Sequence, residues 1–135
     1  MKSYSYFVFG IILCITSCKE NSTSTTVHDN LNSPVTTNVV NSFTYSVNAN
    51  KYSDNSKNDL SFLSDSLVMT LSSSSYSSGQ AIILVSDSLN AIIFSDTLKS
   101  NKTIVIAHFK TTKPKHCNLD ITNFTAKLAF VVVGQ

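Results

Sequence analysis

The chain predicts an all-β fold, a single β-sandwich of about seven or eight short, mostly antiparallel strands. Three observations carry this reading. Apolar and polar residues alternate with a period of two in several stretches, the mark of half-buried strands. Clusters of Ser, Asn, Asp, Gly and Pro interrupt those stretches every eight to twelve residues or roughly so, as turns do. No window shows helical spacing of apolar residues with caps at its ends.

Taken in order, Phe43, Tyr45, Val47 and Ala49 alternate with Thr44, Ser46 and Asn48 and form the first clear strand. Residues 51–59 are polar throughout and read as a loop. Leu67, Met69 and Leu71 alternate with Thr70 and Ser72, and the serine-rich residues 73–79 read as a turn. Residues 81–85 and 91–94 are joined through Asp87-Ser88-Leu89-Asn90 and make the clearest hairpin. Residues 103–109 form a further strand, followed by a loop containing Pro114. Cys117, Leu119 and Ile121 alternate with Asn118, Asp120 and Thr122, and residues 126–133 close the chain in a last strand. The runs 81–85, 92–94, 104–107 and 128–133 are apolar on both faces, where a two-layer sandwich should alternate. Either something covers their outer face, or that face meets another protein, or these are ordinary exposed valines and isoleucines. The last strand, if it lies at an edge, offers its backbone to a partner's strand.

The strand rhythm from Gly79-Gln80-Ala81-Ile82-Ile83-Leu84-Val85 through Asn123-Phe124-Thr125-Ala126-Lys127-Leu128 resembles small immunoglobulin-like or jelly-roll modules of bacterial envelope proteins. That resemblance transfers no site residue.

Composition excludes several functions. The formal charge is only +2 and no basic stripe is present, so nucleic acid is not implied as a partner. All basic residues are lysines, which removes the bidentate clamp that arginine provides for phosphate or carboxylate. Tryptophan is absent, and Tyr45, Tyr52 and Tyr76 are the remaining candidates for stacking on a sugar. The one glutamate, Glu20, precedes the domain, and the scarcity of glycine leaves no phosphate-cradling loop.

The N-terminus has a single charge at Lys2, then the apolar run Phe7-Val8-Phe9-Gly10-Ile11-Ile12-Leu13-Cys14-Ile15. Such a run is a secretory signal, too short to remain as a membrane span. Ile15-Thr16-Ser17-Cys18 resembles the lipobox of bacterial lipoproteins. The resemblance implies that Cys18 is acylated, with palmitate among its chains, and becomes the first mature residue. It divides the chain into a signal peptide at residues 1–17, a lipid anchor with a flexible Ser/Thr/Asn-rich tether at 18–41, and the sandwich at 42–135. The later part of the tether, residues 35–40, has the composition to begin a strand. Three acyl chains hold a protein by tens of kcal/mol, at about 0.8 kcal/mol per buried methylene. Lys19 and Glu20, with no aspartate after the cysteine, look like an outer-membrane or surface-export signal. A disulfide-stapled secretory domain is the competing reading, but removal of Cys14 and lipidation of Cys18 leave Cys117 alone. The sequons at Asn21, Asn101 and Asn123 matter only under that reading.

Few residues suggest chemistry. Cys117 shares a strand face with Leu119 and Ile121, which makes it a buried core residue rather than a nucleophile, and His116 points the other way. His116 and Asp120, four apart on a strand, stand about 13 Å apart and do not share a metal. His108 joins them only in a favourable register, and His28 lies in the tether. Asp54, Asn55, Asn58 and Asp59 cluster like calcium ligands, yet their spacing matches no known loop and suits ordinary turn material. No catalytic residue, metal or cofactor is assigned. Asp65-Ser66-Leu67, Asp87-Ser88-Leu89 and Asp96-Thr97-Leu98 resemble the Asp-(Ser/Thr)-apolar O-glycosylation signal of some Gram-negative exported proteins, which implies Ser66, Ser88 and Thr97 as acceptors.

The expected function is that of a non-catalytic, membrane-anchored envelope lipoprotein whose sandwich binds or supports an envelope protein, another copy of itself or a glycan. The alternatives are a fibre or secretion-machinery subunit assembling through its C-terminal strand and, less favoured, a small metal-dependent hydrolase.

Overall fold

The computed structural model describes residues 30–108 and 112–135. Cys18, the expected signal peptide and most of the expected tether lie outside the described residues. Six strands follow in order: β1 Val35–Val39, β2 Ser42–Asp59, β3 Leu67–Ser86, β4 Ile92–Leu98, β5 Lys102–His108 and β6 His116–Gly134. They form one open antiparallel sheet in the order β1-β2-β6-β3-β4, with β5 also on β3. The fold is all-β and sandwich-like, as the alternation predicts.

The strand count is lower than expected because three strands are very long. β2, β3 and β6 span 18, 20 and 19 residues. The expected loop at 51–59 and the turn at 73–79 are continuous strand. In both places polar side chains hid a backbone that is hydrogen-bonded to β6, a tertiary context that overrides local propensity. Likewise residues 117–121 and 126–133 belong to one strand.

All three long strands break register at the same level, between Ala49 and Asp54, Ser74 and Gln80, and, on β6, Ile121 and Ala126. Lys51, Ser75 and Asn123 have positive φ there, at 51°, 56° and 46°, and Gly79 sits at 79°. Such bulges bend a strand and sharpen its twist. Side chains replace ladder bonds at the bend: Thr125 Oγ1 accepts from Lys51 N at 2.9 Å, and Ser53 Oγ accepts from Asn123 N at 2.9 Å.

The bend folds the sheet into two layers. Layer one holds β1, the first half of β2, the second half of β6, the first half of β3, and β5. Layer two holds the other halves of β2, β6 and β3 with β4. Between them lies a single core in which Phe94 of layer two stacks on Phe130 of layer one, centroids 5.9 Å apart. Phe43 meets Phe130 edge-on at 6.3 Å, while Tyr76 and Phe124 pack at the bend, 6.0 Å apart.

Two further positions refine the expectation. β1 pairs fully with β2, so the boundary drawn at residue 42 falls inside the sheet. β6 lies between β2 and β3, paired along both edges, so the C-terminal strand is not an edge strand.

Candidate functional surface

The outer face of layer one follows from register. Opposed residues on neighbouring strands share a face, so Val39, Ser42, Val133, Val68 and Ala107 form one cross-strand row. Thr37, Thr44, Val131, Thr70 and Val105 form the next, and Val35, Ser46, Ala129, Ser72 and Thr103 the third. No charged or aromatic side chain interrupts these rows, and the first charge is Lys127 in the row beyond. Val105 is 66% exposed, with Val35, Val39 and Val133 also open to solvent. The runs that read as apolar on both faces, 104–107 and 128–133, therefore meet here. Layer two is different outside: Asn55, Asp120, Ile82 and Thr97 form one row and Lys57, Asn118, Leu84 and Ser95 the next. A hollow of about 320 Å³ lies over the bend, between Leu31, Asn50, Ser75 and Lys127.

Inside, the second half of β2 places Asp54, Ser56 and Asn58 on the core face beside Ile121, Leu119 and Cys117. Ser56 Oγ and Asn58 Nδ2 are shut from solvent without a hydrogen-bond partner among the described residues, as is the hydroxyl of Tyr45. Burial first, and then the neighbouring Tyr52 and Asp54, hold the Tyr45 hydroxyl above its ordinary pKa. Tyr52 is raised by burial and by Asp54. Sequence reasoning missed this polar row because it expected a loop. One signal was available: between Pro34 and Gly79 the chain contains neither proline nor glycine, which is unusual for turns.

The residues singled out in the sequence are scattered. Cys117 is fully buried, and burial pushes its thiol pKa up to about 12, so it is a core residue. His116 faces outward, its Nδ1 2.8 Å from the Asp59 carboxylate. His108 lies at the far end of β5 opposite Leu67, whereas His116 lies opposite Ser86 at the other end of β3. Asp54 and Asn58 face inward while Asn55 and Asp59 face outward, so the four do not converge as one ligand set. Among the described residues no three His, Cys, Asp or Glu side chains are grouped to hold a metal. Ser88 and Thr97 are exposed, and Ser66 is half-buried with its hydroxyl 3.4 Å from Asp65.

No known protein family matches the chain, and no curated protein resembles it significantly.

Proposed function

We propose that this protein is a non-catalytic envelope lipoprotein, held in the outer membrane by acylated Cys18, whose β-sandwich serves as a binding or structural module. The uncharged outer face of layer one carries this reading. Five strands present only Val, Thr, Ser and Ala there over three rows. That face holds no charge that must leave water, and its Ser and Thr hydroxyls can hydrogen-bond across a contact. Its exposed valines, Val35, Val39, Val105 and Val133, favour contact with another surface. The absence of aromatic rings from it favours a protein partner over a stacked sugar. The lipobox-like residues 15–18 support the anchor.

A photo-crosslinking residue at Val105, in cells, tests the face. A discrete adduct is expected there and none at Leu89, which is 85% exposed on the β3–β4 turn. Equal labelling at both positions overturns the assignment. Cys18→Ser is expected to move the protein from the membrane to the soluble fraction.

A further inference from the structure

Layer one is one strand wider than layer two. β5 and β4 close the same edge, one in each layer, but at the opposite edge β1 has no counterpart among the described residues. Among the described residues, no strand pairs with the outer edge of β2 beyond Lys51, so the backbone of residues 52–58 stands open there, between Lys51, whose N–H is held by Thr125 Oγ1, and Asp59, whose carbonyl accepts from Asn38. The inward-facing residues of β1, Thr36 and Asn38, are exposed because layer two stops short beneath them. Asn38 Nδ2 donates to Asp59 O at 2.8 Å, which shows that this carbonyl points out of the open edge. Backbone groups on every second residue share a side, so Asn55 and Lys57 also present theirs outward.

The geometry points to a second copy of this chain as the occupant, with residues 52–58 of two molecules pairing antiparallel about a two-fold axis through Asn55. An axis perpendicular to the sheet keeps the core faces of both copies on one side. Asn55 then faces itself, Ser53 faces Lys57, and just past the ladder Lys51 of one copy lies beside Asp59 of the other at both ends. On the core face, Asp54 comes opposite Ser56 and Tyr52 opposite Asn58. The hydroxyl of Ser56 and the amide of Asn58, unpartnered in a single copy, thereby gain a carboxylate and a phenol oxygen within reach. Leaving such groups unsatisfied is costly, so pairing relieves a defect that the single copy carries. Charge selects this register. Moving the axis to Asp54 opposes Lys51 to Lys57 and Asp54 to itself, and like charges directly opposite destabilise a sheet. Moving it to Ser56 takes Lys51 away from Asp59 and so loses that opposite-charge pair. The added strand would also lie beneath β1 and cover Thr36 and Asn38. This contact is separate from the uncharged face and from the anchor.

Oxidative cross-linking of the full-length chain in its native membrane tests the pairing. Residues opposed in a hydrogen-bonded antiparallel pair have Cα atoms about 5.5 Å apart, which a disulfide spans. Asn55→Cys is expected to give a disulfide-linked dimer above the baseline of the natural sequence, whose described thiol, Cys117, is buried. Ser53→Cys alone should not, whereas Ser53→Cys mixed with Lys57→Cys should. Lys51→Asp in the Asn55→Cys background is expected to lower the dimer yield roughly three- to tenfold, as two exposed pairs turn repulsive. Adding Asp59→Lys should restore it. Equal yields from Asn55→Cys and Ser53→Cys alone mean random collision and overturn the proposal. No dimer from Asn55→Cys in protease-resistant, folded protein also overturns it. A product with a different protein, or protection of the thiol by the chain's own N-terminal residues, replaces the second copy as occupant.

Discussion

Gly79 shows how much a single residue decides here. A Cβ at this position would stand 2.2 Å from the backbone oxygen of Asn123, and its φ of +79° is one that side-chain-bearing residues resist. Neither obstacle yields by a rotamer change, because the obstructing atoms are backbone. Gly79→Ala is expected to cost about 2 kcal/mol or more, read as a lowered urea midpoint. Gly134→Ala meets only the side chains of Asn41 and Ser64, at 3.1 Å, and should cost less. Cys117 makes a second prediction at this scale. Its thiol rises from an ordinary 9.0 to about 12 through burial, so the folded chain holds that proton more tightly than the unfolded chain. The stability this provides is fully present below about pH 9 and is lost as pH rises toward 12, at about 1.4 kcal/mol per unit. Tyr45, raised for the same first reason, adds to the alkaline loss. Urea melts at about pH 8 and pH 10.5 should show a fall in stability that is smaller in Cys117→Ala. The same thiol should resist alkylation until the chain unfolds.

Among the elements, the β3–β4 hairpin was the most legible in sequence. Residues 81–85 and 91–94 pair as expected, with Val85 opposite Phe94. Its turn is held by Asp87, a buried carboxylate that accepts from the backbone N–H of Leu89 at 2.8 Å and of Ala91 at 2.9 Å. Asp87→Ala leaves both donors without that partner and should destabilise the protein by about 1–3 kcal/mol, measured by the same melts. The alternation at 43–49 and 117–121 also fixed which side chains face the core, including the opposite orientations of Cys117 and His116. The long strands were not legible. Residues 51–59 and 73–78 carry no apolar period, since their inward positions are held by Tyr52, Asp54, Ser56 and Asn58 on β2 and by Ser73 and Tyr76 on β3. Only pairing with β6 makes them strand. The open edge of β2 was hidden for the same reason, as was the central place of β6, because strand order is a property of long-range pairing.

At the scale of the molecule, one bend generates everything that the surface offers. It turns three long strands into two layers and stacks Phe94 on Phe130. It also leaves layer one a strand wider than layer two and gathers the uncharged rows on one outer face. Phe130→Ala removes the ring that touches both Phe43 and Phe94 and is expected to cost about 3–5 kcal/mol, a large share of a small domain's stability. The chain's two-faced apolar runs were visible in sequence, and the register shows that two of them share the layer-one face. How that face and the open edge are used depends on where the protein is held, which under the proposed function rests on acylation of Cys18. Intact mass of the native, membrane-extracted protein is the direct test of that anchor. The expected mass is that of residues 18–135 plus three acyl chains. A mass without lipid would contradict the anchor, return Cys18 to the free thiols and detach the sandwich from the membrane surface.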